Sequence, residues 1–121
     1  SALGLDRLLV VNDFEAMALS LPHLRGDDVV RIGGGEAQAG RVKAVVGPGT
    51  GLGVAGLAPV GDGWTALPGE GGHVSLAAES DREYELISLI RGAGERVSAE
   101  RVLSGPGLES LYRALCRKAG R

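Results

Sequence analysis

The spacing of hydrophobic positions in the first third of the chain predicts a strand followed by a helix. Residues 8–11 form a short, continuous apolar run, as in a buried strand. The polar pair Asn12-Asp13 follows, and apolar residues then recur at helical spacing up to Pro22. A second short strand is expected at residues 29–32, where another apolar run ends in three glycines.

The middle third has the pattern of an antiparallel meander. Apolar runs at residues 43–46, 54–60 and 64–67 are separated by glycine-rich connections. Gly61-Asp62-Gly63 between two of these runs is typical of a hairpin turn. A further apolar stretch at residues 74–77 is expected to extend the meander.

The last third predicts helices. Ser80 and Glu83 match a capping box ahead of an apolar set, and residues 98–103 are expected to form a short helix. Ser104 is expected to cap a last helix, because apolar residues follow it at helical spacing. That set is Leu108, Leu111, Tyr112 and Leu115. Strands come first and helices last, which favours an α/β or α+β class.

Composition adds one unusual feature, an excess of glycine. The 121 residues suit a single domain, and a hydrophobic content of 44% excludes a wholly disordered chain. Glycine accounts for 21 of the 121 residues, well above the usual share of about 7%. These glycines cluster without a collagen period, which indicates tight turns or backbone that lies close to a ligand.

Charge and cysteine content exclude several classes of function. A net charge of −2 and 3% aromatic residues give no electrostatic or stacking basis for binding nucleic acid. The single cysteine, Cys116, excludes an internal disulfide and a zinc cluster of several cysteines. No apolar run approaches the length of a membrane span, and no signal peptide is visible. We therefore expect a soluble, cytoplasmic chain with neither a membrane partner nor a metal site.

The Asn12-Asp13 pair allows two interpretations. Asn and Asp are favoured caps and first-turn residues of helices, so a purely structural role suffices. The same position, at the carboxyl end of an expected strand, is also where α/β proteins bind ligands. A carboxylate there would point into a cleft.

The glycine-rich segment 47–53 also has two interpretations. Glycine stands at every second position, with Thr50 in the middle. The segment is either a glycine-rich hairpin or a loop whose backbone N–H groups hold a phosphate. It lacks the lysine of a P-loop, and the G-x-G-x-x-G match at residues 51–56 is rejected because strand residues, not a helix, follow it.

Three further residues are candidates for binding a polar ligand. Glu70 and His73 lie among glycines in the segment 68–73, with no helix face to occupy and no core to fill. A metal pair is conceivable there, but no second histidine lies at ligand spacing. Glu100 follows Ser98, where a glutamate is also ordinary compensation of a helix dipole.

Taken in order, four segments of the chain resemble the bacterial glucokinases, ATP-dependent hexose kinases of the hexokinase/actin-like superfamily. The similar segments are residues 11–14, 49–54, 67–73 and 97–108. The resemblance extends over nearly the whole chain. It implies a partial ribonuclease H-like α/β fold, in which an antiparallel meander is flanked by helices.

The resemblance also implies a role for each matching residue. Asp13 is similar to the catalytic base for the 6-hydroxyl of glucose, and Asn12 to a sugar ligand beside it. Glu70, His73 and Glu100 correspond to further contacts with sugar hydroxyls, which suits carboxylates because they only accept hydrogen bonds. The implied phosphate-binding residues are Gly49, Thr50, Gly51 and Gly53.

The implied substrates are glucose and ATP with Mg²⁺, and the implied assembly of the full protein is a homodimer. The family's first phosphate loop and its adenosine segment have no counterpart here, so the chain is expected to be a central fragment. Residues 1–20 would end the small domain, and residues 21–121 would begin the large one. We expect the isolated chain to be inactive, to expose apolar surface and to associate.

Two other functions stay open at this point. A non-catalytic sugar-binding or regulatory relative would keep the hexose pocket, although mere binding does not require a base at Asp13. A glycoside hydrolase could use Asp13 and Glu70 as its two carboxylates, but that leaves the loop at residues 49–53 without a role.

Overall fold

The computed structural model describes residues 4, 6, 8–92, 94 and 96–121. Its longer elements are three helices and three strands, joined by single turns of 3₁₀ helix at Leu21–His23, Gly26–Asp28, Gly71–His73 and Ala99–Arg101. In chain order the longer elements are α1 (Asp13–Ser20), β1 (Lys43–Pro48), β2 (Leu52–Val60), β3 (Gly63–Gly69), α2 (Asp81–Arg91) and α3 (Gly105–Lys118).

The three strands form the antiparallel meander that the sequence predicts, in the order β1-β2-β3. The β1–β2 register pairs Gly47 with Gly53, and the β2–β3 register pairs Val60 with Gly63. Gly61 lies in the β2–β3 turn with a φ of +56°, a conformation that glycine adopts without steric cost. The sheet therefore turns where its glycines permit.

Two predicted strands are absent from the described residues. Residues 8–11 and 29–32 are extended or irregular and pair with nothing. Apart from the half-buried Val11, their apolar side chains are exposed, and Val30 and Ile32 reach 87% and 95%. These predictions were wrong because a strand forms only against a partner, and no described strand lies alongside either segment.

The expected continuation of the meander at residues 74–77 was also wrong. This segment makes a single antiparallel bridge, between Ser75 and Ser98. Backbone bonds from Leu76 N to Val97 O and from Ala99 N to Val74 O, each 2.9 Å, flank that bridge. The segment therefore pairs with residues 97–99 instead of with the sheet, and it holds the Ala99–Arg101 turn in place.

Helix α1 packs on one face of the sheet through small side chains. Ala18 is fully buried against Ala55 and Leu57 of β2. Phe14 and Trp64 pack around this cluster. Because alanines let the helix approach closely, the N-terminus of α1 lies beside the β1–β2 turn.

Helices α2 and α3 begin directly after the predicted serines. Ser80 Oγ accepts a hydrogen bond from the Glu83 N–H at 3.3 Å, and Ser104 Oγ accepts one from the Gly107 N–H at 3.0 Å. The second bond of the capping box differs from the prediction, because Glu83 Oε2 accepts from the Glu79 N–H. Both N-termini are thus capped by the residues that the sequence indicated.

The helix predicted after Ser104 forms, but it buries a different face. Gly107 and Ala114 are buried, whereas Leu108 and Tyr112 are 65% and 68% exposed. The fully buried positions of α3 are therefore small residues. Leu108 and Tyr112 point outward, whereas Leu111 is half-buried and lines a cavity with Leu86 and Ile87 of α2.

Candidate functional site

A cavity of about 440 Å³ lies where the N-terminus of α1, the β1–β2 turn, the end of β3 and the Ala99–Arg101 turn meet. It is the place in the described structure where most predicted site residues come together. Those that line it are Asn12, Asp13, Gly49, Thr50, Gly51, Gly53, Glu70 and Glu100. Segments far apart in sequence therefore contribute to one cavity.

Asn12 and Asp13 occupy the N-terminus of α1. Asn12 Oδ1 and Asp13 Oδ1 each accept a hydrogen bond from the Phe14 N–H at 2.9 Å. Asn12 is thus the N-cap of the helix, as the structural interpretation holds. Both side chains are exposed and also line the cavity, so the capping role and a ligand-binding role are compatible.

His73 stands between the two glutamates. Its Nδ1 lies 3.7 Å from Glu70 Oε2, and its Nε2 lies 3.5 Å from Glu100 Oε1. The side chains of Glu70, His73 and Glu100 are 84%, 50% and 33% exposed respectively. His73 does not line the cavity itself, and belongs to an adjoining one with Glu100 and Arg101. The three side chains form a polar wall that is open to solvent.

Close backbone packing brings His73 and Glu70 to this wall. Gly72 is buried, and a Cβ at that position would collide with the backbone of Leu52 at the start of β2. The glycine therefore lets the Gly71–His73 turn lie directly on β2. The His73 N–H donates to the Glu70 carbonyl at 3.0 Å and closes that turn.

The β1–β2 turn is closed by its own backbone and held at both ends by residues 100–105, which precede and begin α3. Within the turn, the Gly49 N–H donates to the Gly51 carbonyl at 2.7 Å. At the first end, the Gly105 N–H donates to the Gly49 carbonyl at 2.8 Å. The Leu52 N–H donates to Glu100 Oε2 at 3.0 Å. Thr50, at the tip, is exposed, so its hydroxyl is accessible to a ligand.

The glycines of this turn have different surroundings. A Cβ at Gly51 would lie 2.5 Å from Glu100 Oε2, and one at Gly53 would overlap the ring of Phe14. Gly49 has open space on that side. Two of the glycines therefore make room for other side chains of the site, a reason that the sequence pattern alone did not reveal.

Phe14 also belongs to the site, although the sequence pattern predicts only an apolar position of the helix there. Its ring lies against Gly47 and Gly53, which face each other across β1 and β2. It directly follows Asp13, and so it fixes that end of α1 on the sheet. Glycines at paired strand positions were the available signal, but their pairing is visible only once the register is known.

The described residues contain no group of three or more His, Cys, Asp or Glu side chains that could hold a metal ion. Across the same part of the chain, no helix has the length and apolar character needed to cross a membrane.

Comparison with known proteins identifies a family. The glucokinase family model matches residues 1–121. The glucokinase of Aromatoleum aromaticum is 56% identical over 118 residues, which cover 98% of this chain and 36% of that protein. The glucokinase of Paramagnetospirillum magneticum is 52% identical over 120 residues, with 98% and 37% covered.

Solved structures agree in fold. A crystal structure of glucokinase from an Antarctic psychrotroph superposes with a TM-score of 0.83 at 41% identity, covering 91% of this chain and 34% of that one. A Balamuthia mandrillaris glucokinase in complex with glucose gives a TM-score of 0.63 at 25% identity, covering 70% and 25%. These likenesses confirm the expected partial α/β fold with its antiparallel meander and flanking helices.

The chain spans about 36% of the length of the first of these curated relatives. The family model matches residues 1–121, which include all four segments on which the resemblance rests. The chain belongs to the glucokinase family.

Proposed function

We propose that the whole protein transfers the γ-phosphoryl group of ATP to the 6-hydroxyl of glucose. The observation that carries this proposal is the single cavity shared by Asp13, Glu70, Glu100 and the glycine turn at residues 49–51. A kinase needs a base, a sugar site and a phosphate site at one place, because phosphoryl transfer depends chiefly on positioning and charge stabilisation.

Asp13 is the proposed catalytic base. Its carboxylate is exposed at the cavity and lies in the first turn of α1, where the helix dipole stabilises negative charge. In the reaction the 6-oxygen bonds to the γ-phosphorus, the bond to the β,γ-bridging oxygen breaks, and Asp13 takes the hydroxyl proton. A non-catalytic sugar-binding relative would not need this carboxylate.

The proposed sugar ligands are Asn12, Glu70, His73 and Glu100, beside Asp13. Ionised carboxylates accept hydrogen bonds from hydroxyls, while Asn and His can both donate and accept. A site that pairs each hydroxyl in this way rejects an analogue lacking one, because a polar group is then left unpaired. The hydrogen-bonding groups of the polar wall are thus suited to a substrate with several hydroxyls.

The proposed phosphate site is the glycine turn, with Gly49, Thr50, Gly51 and Gly53. The open side of Gly49 and the exposed Thr50 hydroxyl support this assignment. Mg²⁺ would enter with the phosphates of ATP, as is usual for this ion, and would neutralise their developing charge. The described residues offer no metal cluster of their own.

Three wider features complete the proposal. Residues 1–20 end a small domain and residues 21–121 begin a large one, which would put the cavity at a domain junction, where ligand sites are common. The exposed apolar face of α3, with Leu108 and Tyr112, supports a homodimer of the full protein, measurable by analytical ultracentrifugation. Use of ATP and a single cysteine support a cytoplasmic location.

The test uses a full-length chimera in which this chain replaces the matching segment of the Aromatoleum relative. Glucose-dependent ADP formation is expected, and 6-deoxyglucose should support none because it lacks the acceptor hydroxyl. The 121-residue chain alone should form no ADP. A folded chimera that binds glucose without turnover would favour the non-catalytic alternative, and one that cleaves glycosides would favour the hydrolase.

A further inference from the structure

We propose that Glu100 is a positioning residue for the glycine turn at residues 49–51, and that it couples the sugar site to the phosphate site. The inference rests on the proposed function and adds a second task for a carboxylate already assigned to the sugar. It concerns the oxygen that faces away from His73.

The two carboxylate oxygens of Glu100 have different neighbours. Oε1 lies 3.5 Å from His73 Nε2, on the side of the polar wall. Oε2 accepts the Leu52 N–H at 3.0 Å, across a sequence separation of 48 residues. The Glu100 side chain thus contacts both His73 of the polar wall and the end of the glycine turn.

The turn is shaped to receive this carboxylate. Gly51 adjoins Leu52, and a Cβ at Gly51 would lie 2.5 Å from Glu100 Oε2. Side chains larger than hydrogen would therefore displace the carboxylate from the Leu52 N–H. The hydrogen bond between the Leu52 N–H and Glu100 therefore requires that residue 51 has no Cβ.

The segment that carries Glu100 holds the other end of the turn as well. The Gly105 N–H, at the start of α3, donates to the Gly49 carbonyl at 2.8 Å. A backbone bond thus fixes Gly49, whereas the Leu52 N–H is held by a side chain that is one-third exposed. Sugar hydroxyls that order Glu100 would order this end of the turn, and with it the backbone that faces the phosphates.

The first test compares two substitutions of Glu100 in the full-length chimera. Glu100→Gln keeps an oxygen that can accept a hydrogen bond from the Leu52 N–H, whereas Glu100→Ala removes it. Both substitutions remove the negative charge of Glu100 at the polar wall. We expect both variants to raise KM for glucose. Only Glu100→Ala should also raise KM for ATP or lower kcat, by roughly tenfold to a hundredfold. This range corresponds to the free energy lost when a hydrogen bond to a charged group is removed. Glu109→Gln, an exposed position on α3 paired with Arg113, is the control.

The second test introduces Gly51→Ala into the wild-type chimera and into the Glu100→Ala chimera. Alone, it should reproduce the ATP defect of Glu100→Ala, because its methyl group displaces a flexible carboxylate. Combined with Glu100→Ala it should cause little further loss, because the space is then vacant. Equal losses in the two backgrounds would overturn the inference and would mean that Gly51 serves the phosphate directly.

Hydrogen exchange at the Leu52 amide provides a readout that does not depend on activity. Mass spectrometry with fragmentation should show exchange at least tenfold faster in Glu100→Ala than in wild type, with protection retained in Glu100→Gln. Unchanged exchange in a folded Glu100→Ala chimera would overturn the inference. A wild-type chimera that forms no ADP would refute the proposed function, while Leu52 exchange would still decide whether Glu100 holds the turn.

Discussion

At the residue scale, Asp13 performs a local structural task and is proposed to perform a chemical one. Its Oδ1 accepts a hydrogen bond from the Phe14 N–H, which also donates to Asn12 Oδ1. The side-chain oxygen of an asparagine at this position could accept the same hydrogen bond, but its amide group cannot take up the proton of a hydroxyl. Substitution by asparagine therefore separates the two roles.

Asp13→Asn in the full-length chimera should lower kcat by about 10²–10⁴-fold, the usual contribution of a general base, while glucose still binds. The melting temperature should change little, since Asn is tolerated near a helix N-terminus. Steady-state kinetics and a melting curve measure both. Asp62→Asn in the β2–β3 turn is the control, and a kcat within about threefold of wild type would show that Asp13 is not the base.

Glu70→Gln tests the proposed role of the polar wall in binding the sugar. The amide keeps the size of the side chain but replaces part of an acceptor-only group with a donor that would face a hydroxyl hydrogen. KM for glucose should rise by about tenfold or more, in line with a lost hydrogen bond to a charged group, whereas KM for ATP should stay unchanged. Equal effects on both substrates, or none on glucose, would leave Glu70 as a turn residue only.

At the scale of elements, the site depends on how α1 sits on the sheet. The contact consists of Ala18 against Ala55 and Leu57, with the Phe14 ring against Gly47 and Gly53. Small residues on both surfaces let the helix N-terminus reach the β1–β2 turn. The glycines of β1 and β2 therefore contribute to the position of Asp13.

Gly53→Ala should destabilise the protein by about 1–3 kcal/mol, the usual cost of overpacking, because the new Cβ would overlap the Phe14 ring. Chemical denaturation of the chimera measures the free energy of unfolding. Gly49→Ala is a matched control, since a Cβ at that position would meet no neighbouring atom. Adding Phe14→Ala should make the cost of Gly53→Ala smaller, and strict additivity would contradict the packing interpretation.

At the scale of the whole molecule, the expected exposure of apolar surface is confirmed. Leu8, Leu9 and Val10 are each more than 70% exposed, as are Val30 and Ile32. Exposed apolar segments with unpaired backbone promote association. The 121-residue chain on its own should therefore form oligomers or aggregates.

Static light scattering at tens of micromolar tests this association, and the double substitution Val30→Lys and Ile32→Lys should reduce it. Ala37→Lys with Ala39→Lys, in the neighbouring exposed segment, adds the same charge without removing a large apolar side chain and should have less effect. A wild-type chain that stays monomeric at this concentration would contradict the prediction.

Local sequence patterns determined the elements whose interactions are themselves local. Ser80 and Ser104 cap their helices, and Gly61 permits the hairpin turn, because each acts within a few residues of its own position. The apolar runs of β1, β2 and β3 were recognisable for the same reason. The run at residues 8–11 had the same appearance, yet it forms no strand, because a strand also needs a partner that the pattern does not contain.

The sequence also determined which side chains are chemically suited to a sugar kinase site, since a carboxylate is an acceptor wherever it lies. Only the tertiary structure decided that Glu100 reaches both His73 and the Leu52 N–H, and that Gly51 and Gly53 make room for Glu100 and Phe14. The physical reason is distance along the chain. Contacts between residues 48 apart depend on how whole elements pack, and no local pattern records that packing.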